Sequence, residues 1–247
     1  MSTRTANGDE VPWYRPVADE CEVFERAHAL RTLLLLKGPT GCGKSRLVEH
    51  MAARLGRLLV TSSSRRDRRS ISRGVICSRA ATRFQQDGPV TRAVRSGAIL
   101  YLDEFAEARS DVVVVVHPLA DHRRQLHLDR RDETLEAPDE FMLVVSFNPG
   151  YQRGLKELKP STRQRFVALS FDYPEPEVER EILIGETGVG ADHARRLVAL
   201  AGKLRARDPR GWRSVRRTAA RECAARLLEA GSPPRGAAWV TGRSSRR

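Results

Sequence analysis

The sequence predicts an α/β fold: a parallel sheet flanked by helices, followed by a small helical domain. Three observations predict it. Three apolar segments, residues 33–36, 97–102 and 141–147, each run into polar residues at their carboxyl side. The first leads into a glycine-rich loop and then into residues 46–55, whose apolar positions recur three or four apart, as on one helical face. Beyond Tyr173-Pro174-Glu175-Pro176, residues 177–187 and 192–204 read as two more helices.

Taken in order, residues 1–10 are polar and residues 1–12 read as a disordered start, with Val11-Pro12-Trp13-Tyr14 giving the first aromatic anchor. Residues 19–30 read as a helix with Val23, Phe24, Ala27 and Leu30 on one side, leading into a strand over 32–36. A helix over 45–55 ends at Gly56, and a second strand follows over 58–61. Residues 62–83 have no amphipathic stripe and read as a long solvated basic loop. Gln86-Asp87-Gly88-Pro89 is a turn before a short helix through Val94. In residues 111–121, five consecutive valines favour a strand, whereas Asp111 as an N-cap and the order of elements favour a helix, which is the expectation taken. Alternation around Leu126 and Leu128 predicts a hairpin over 123–132. Residues 159–166 open a short helix before a last strand over 167–171. The expected domains are 13–174, α/β, and 175–247, helical.

The chemistry lies at the strand ends. Gly38-Pro39-Thr40-Gly41-Cys42-Gly43-Lys44-Ser45 has strand before it and helix after it. Glycines 38, 41 and 43 let backbone N–H groups turn toward phosphate oxygens, and the new helix adds its positive end. Lys44 then reaches the β- and γ-phosphates of ATP and Ser45 ligates Mg²⁺. A plain turn needs no Lys-Ser after the third glycine. Asp103, at a strand tip, is placed to reach the same Mg²⁺, and Glu104 to polarise the attacking water; as a bare acid pair they would also serve as a helix N-cap. Asn148 at the third tip either bonds the attacking water or a γ-phosphate oxygen, or simply starts the turn before Pro149-Gly150.

Charge and cysteines narrow the class. The net charge of +13 is concentrated in two segments: residues 62–83 hold seven arginines against one aspartate, and residues 203–247 hold thirteen basic residues against three acids. The rest of the chain is mildly acidic. No apolar run approaches the roughly 20 residues that span a bilayer, and Cys21, Cys42, Cys77 and Cys223 lack close or zinc-like spacing. The expectation is a cytoplasmic protein with reduced thiols, in which Cys42 is a small filler, and with no membrane partner.

With these motifs in this order, the chain resembles AAA+ ATPases of the MoxR group, and within it the CbbQ/NirQ/NorQ branch, through GPTGCGKS, HMAARLGR, QDGPVTRAVRSGAILYLDE, HPLADHRR, SFNPGYQ and LKPSTRQRFVALSFDYP. The likeness covers about residues 13–61 and 85–204. It implies a P-loop AAA+ domain with a helical lid, a hexameric ring, and a von Willebrand factor A-type partner. With that partner, such a ring remodels RuBisCO or a nitrite or nitric-oxide reductase. By position, Lys44 and Ser45 fall on Walker A, Asp103 and Glu104 on Walker B, Asn148 on sensor 1. Of the arginine pair, Arg165 ahead of Arg163 falls on the arginine finger, although two arginines before an apolar strand also suit a solvated face.

The two basic segments, about 62–84 and 205–247, depart from the family text. The first stands where relatives carry an acidic-apolar pore stretch, and the second puts Ala219 where a sensor-2 arginine would stand, with Arg216, Arg217 and Arg221 nearby but unmatched. Both read as frame-shifted translation. Three functions compete: an ATP-hydrolysing remodelling motor, a nucleic-acid-dependent ATPase using the basic segments, and an inactive nucleotide-binding copy. The scarcity of aromatics around those segments, apart from Phe84, Trp212 and Trp239, argues against nucleic acid.

Overall fold

The computed structural model describes residues 11–63, 75–79, 82–103, 105, 118–121, 123–128, 132–148 and 164–207. In chain order they form α1 (Glu20–Ala29), β1 (Leu33–Lys37), α2 (Lys44–Arg54), β2 (Leu59–Ser63), β3 (Val75–Arg79), β4 (Thr82–Gln86), α3 (Pro89–Ser96), β5 (Ile99–Asp103), a 3₁₀ turn (Pro118–Ala120), β6 (Gln125–Leu128), β7 (Glu133–Glu136), β8 (Met142–Phe147), β9 (Phe166–Ser170), α4 (Pro176–Thr187) and α5 (Ala191–Arg207). They fall into two compact units. The first holds Ala18–Gly38 and Ser45–Ser170 with residues 11 and 12; the second holds Trp13–Val17, Pro39–Lys44 and the residues from Phe171 on.

In the first unit a five-stranded sheet runs β2-β5-β8-β1-β9, and every pairing is parallel. Parallel strands between helices are buried on both faces and read as unbroken apolar runs. That is the case for Leu33, Leu34, Leu35 and Leu36, all at most 5 % exposed. One face carries Leu33, Leu35, Leu100, Leu102, Leu143 and Val145, packed with Val90, Ala93 and Val94 of α3 and with Leu126 of the hairpin. Each such leucine contributes about 2 kcal/mol of burial. By alternation the other face carries Leu34, Tyr101, Asp103, Val144 and Ser146.

Local chemistry sets the element ends. Helix α1 carries Glu20 and Glu22 in its first turn and Arg26 and His28 in its last, matching the helix dipole. Helix α3 starts on Pro89 and stops at Gly97, whose φ of 61° is left-handed. Arg124 ties the hairpin β6-β7 to the amino-terminal edge of the sheet. Its guanidinium donates to the carbonyls of Arg31 at 3.1 Å, Pro138 at 3.0 Å and Phe141 at 2.9 Å.

In the second unit α4 and α5 pack through Leu183, Val189, Ala194, Leu197 and Val198. The early segment Trp13–Val17 belongs to this unit. The Trp13 ring lies over Gly185, where an added Cβ would come within 2.5 Å of it, and Arg15 pairs with Glu181 at 2.9 Å.

Several expectations need correction. The stretch read as one basic loop holds β3 and the start of β4, an antiparallel pair in register from Val75 opposite Gln86 to Arg79 opposite Thr82. Val75-Ile76 and Thr82-Arg83-Phe84 supply the β-branched and aromatic residues that favour strand, and the weight of arginine in that stretch hid them. Of the helix expected over 111–121, residues 111–117 lie outside the described residues and 118–120 form a 3₁₀ turn. The hairpin runs to Glu136, beyond Asp132. The short helix over 159–166 falls largely outside the described residues, and β9 begins at Phe166. No described helix is long and apolar enough to cross a membrane.

Two stability effects follow. Leu143→Ala, in a fully buried position of β8, should lower the unfolding free energy by about 2–5 kcal/mol in urea titration. Gly185→Ala must displace the Trp13 ring and should cost about 1–3 kcal/mol by overpacking. Trp13→Ala in the same background should recover much of that loss.

Candidate functional site

The conformation of the glycine-rich loop follows from its glycines. Gly41 and Gly43 have φ of 81° and 96°, conformations that L side chains rarely adopt. The backbone therefore turns tightly enough to aim successive N–H groups inward, and α2 starts at Lys44 directly after it. At its other end the loop is fastened to the sheet by Gly38 N–H donating to Phe147 O at 3.0 Å. Within the second unit, Lys44 Nζ donates to Pro39 O at 2.6 Å, Cys42 Sγ lies 3.0 Å from the same carbonyl, and Tyr173 Oη donates to Thr40 O at 3.2 Å. Lys44 is only 8 % exposed. Burial pushes the Cys42 thiol up, with the Lys44 ammonium acting in the opposite direction. Cys42 thus stays a thiol and fills space.

The first unit holds the second group of site residues on one sheet face. Asp103 ends β5, and its Oδ1 accepts from Ser146 Oγ at 2.6 Å and from Tyr101 Oη at 3.2 Å. Tyr101 Oη also lies 3.1 Å from Ser45 Oγ, in the first turn of α2. Burial, reinforced by the charge of Asp103, raises the Tyr101 pKa far above its usual value, so the phenol keeps its proton throughout the physiological range. Ser45 and Asp103, predicted to share a metal, are thus linked through one hydroxyl. Asn148 follows the last residue of β8, half-buried, and Arg165 is exposed immediately before β9. Glu104 and Arg163 lie outside the described residues.

Tyr101, Ser146 and Tyr173 went unnoticed in the sequence. A signal existed for the first two. Each is a hydroxyl residue inside an otherwise apolar strand, two positions before a polar tip residue, and period-two alternation puts it on that residue's face. Tyr173, between Asp172 and Pro174, carried no such mark.

The oxygen donors fit a hard cation. A serine hydroxyl and one carboxylate leave most coordination positions to water and phosphate, the usual pattern for Mg²⁺. Among the described residues no group of three His, Cys, Asp or Glu could hold a metal by itself.

Comparison with known proteins gives the family of the chain. Residues 33–166 match the AAA domain (dynein-related subfamily), and residues 179–241 match the CbbQ/NirQ/NorQ C-terminal family. The chain is 51 % identical over 235 residues to the denitrification regulatory protein NirQ of Pseudomonas aeruginosa, covering 94 % of this chain and 90 % of that one. It is 55 % identical to NorQ of Paracoccus denitrificans, over 83 % of this chain and 76 % of that one, and 52 % identical to CbbQ of Hydrogenophilus thermoluteolus, over 81 % and 74 %. A RuvB mutant from Thermotoga maritima superposes with a TM-score of 0.58 at 15 % identity, over 97 % of this chain and 72 % of that one, a likeness of fold alone. The match through residue 241 corrects the expectation that the text after 205 departs from the family. The chain belongs to the AAA+ ATPases, in the CbbQ/NirQ/NorQ branch of the MoxR group.

Proposed function

We propose that this chain is an Mg²⁺-dependent ATPase that works as a ring of identical copies, each pairing its own phosphate loop with an arginine of its neighbour. The observation that carries the reading is the hydrogen-bonded set that joins Ser45 of α2 to Tyr101, Asp103 and Ser146 on one sheet face. The serine that ends Walker A and an aspartate at a strand tip lie within one hydroxyl of each other. When bound, the cation would neutralise charge on the β- and γ-phosphates. The chain's own groups do the rest. The loop from Gly38 to Gly43 cradles phosphate oxygens, Lys44 supplies a point charge to them, Glu104 takes the proton of the attacking water, and Asn148 orients that water. Arg165 is exposed and stands just before an edge strand, which suits a residue that acts outside its own copy. Arg163 is the alternative for that role.

The cycle would drive remodelling of a metabolic enzyme together with a von Willebrand factor A-domain partner. The relatives named for denitrification regulation and the relative named CbbQ are about equally similar to this chain, so the client is RuBisCO or a nitrite or nitric-oxide reductase. A hexamer in the cytoplasm is part of the same reading. Co-expression with each client enzyme and its partner, followed by assay of the client, distinguishes the alternatives.

Lys44→Ala should abolish binding of ADP measured by calorimetry. Glu104→Gln should keep nucleotide affinity while slowing turnover by roughly 10²–10⁴-fold, and unchanged phosphate release would refute its assignment. Arg165→Ala should slow turnover by roughly 10³–10⁵-fold. Mixing it with Lys44→Ala subunits should restore part of the activity, because each supplies what the other lacks. A mixture as inactive as its components would rule out the shared site.

A further inference from the structure

We infer that Tyr101 and Ser146 are positioning residues for the divalent cation, fixing which lone pairs Ser45 and Asp103 present to it. The inference rests on the Mg²⁺ site of the preceding reading and gives Tyr101 and Ser146 a role that reading leaves unassigned. Both side chains are almost fully enclosed, at 2 % and 1 % exposed, in the interior strands β5 and β8, where an apolar residue would pack equally well. Instead each directs a hydroxyl at a group assigned to the metal.

The direction of the hydrogen bonds can be worked out. An ionised carboxylate only accepts, so Tyr101 donates its one proton to Asp103 Oδ1, as does Ser146. With that proton committed, the contact between Tyr101 Oη and Ser45 Oγ at 3.1 Å requires Ser45 to be the donor. The serine proton therefore points at the tyrosine, and the serine lone pairs are turned away from it. A metal-ligating hydroxyl needs that orientation: a lone pair for the cation and the proton on the far side. On Asp103, two donors on Oδ1 fix the rotation of the carboxylate and with it the direction of its other oxygen. Partners of this kind, which orient ligands without touching the ion, typically carry a roughly 10–100-fold share of metal affinity.

The test is a titration of the full-length chain with a fluorescent ADP analogue, in EDTA and across a range of Mg²⁺ concentrations, for wild type, Tyr101→Phe and Ser146→Ala. The expected result is an Mg²⁺ half-saturation raised roughly 10–100-fold in either variant, with affinity in EDTA unchanged. Variants with the wild-type half-saturation would overturn the inference. Equal losses with and without Mg²⁺ would also overturn it, because they would assign the hydroxyls to packing alone. Should Tyr101→Phe fail to fold, Ser146→Ala decides on the same criteria. Wild type bound equally well with and without Mg²⁺ would remove the cation reading and this inference together, and the effect of Lys44→Ala in EDTA would then show whether the nucleotide assignment stands apart from it.

Discussion

The parallel register of β1, β8 and β5 is the constraint on which the site depends. Pairing Leu34 with Val144 and Tyr101 with the same valine fixes where all three strands end, and the ends coincide at the carboxyl edge of the sheet. A slip of one residue in β8 would turn Ser146 to the opposite face and carry Asn148 out of line. The slip is opposed by the leucines and valines packed on both faces. Core and site are therefore one arrangement, since the apolar side chains that stabilise the sheet also set the position of its polar tips.

Placing polar groups inside such a sheet has a cost that the structure meets by pairing them with one another. A buried hydroxyl without a partner costs on the order of 1–3 kcal/mol. Tyr101, Ser146 and Asp103 satisfy each other within one face. Ser62, buried in β2 on the other face, finds no hydrogen-bond partner for its hydroxyl among the described residues. The contrast separates a connected polar network from an isolated polar side chain within the same sheet.

Much of this was legible in the sequence. The strand runs, the loop Gly38–Ser45, and the tip residues Asp103 and Asn148 could be read directly, because burial on both faces writes long apolar runs and the polar residue that ends each run stands out. The α4 and α5 helices were legible to within a few residues from their stripe of apolar positions. The pair β3-β4 was not, because arginines dominate the stretch while strand pairing depends on which residues oppose one another across the ladder. Nor could spacing along the chain show that Trp13 rests on Gly185, since the contact joins residues far apart in sequence. Tyr101 was visible only as one more large residue in an apolar strand. Its role follows from the atom that its hydroxyl faces.

The order of strands in the sheet differs from their order in the chain. Leu33–Lys37 lies between Met142–Phe147 and Phe166–Ser170, so during synthesis its four leucines leave the ribosome with neither neighbour yet made. Until the second half of the polypeptide emerges, that tetraleucine must be kept from pairing with other nascent chains. The segment that will form the phosphate loop follows directly behind this strand, so it takes its place on the sheet only once the later strands are made.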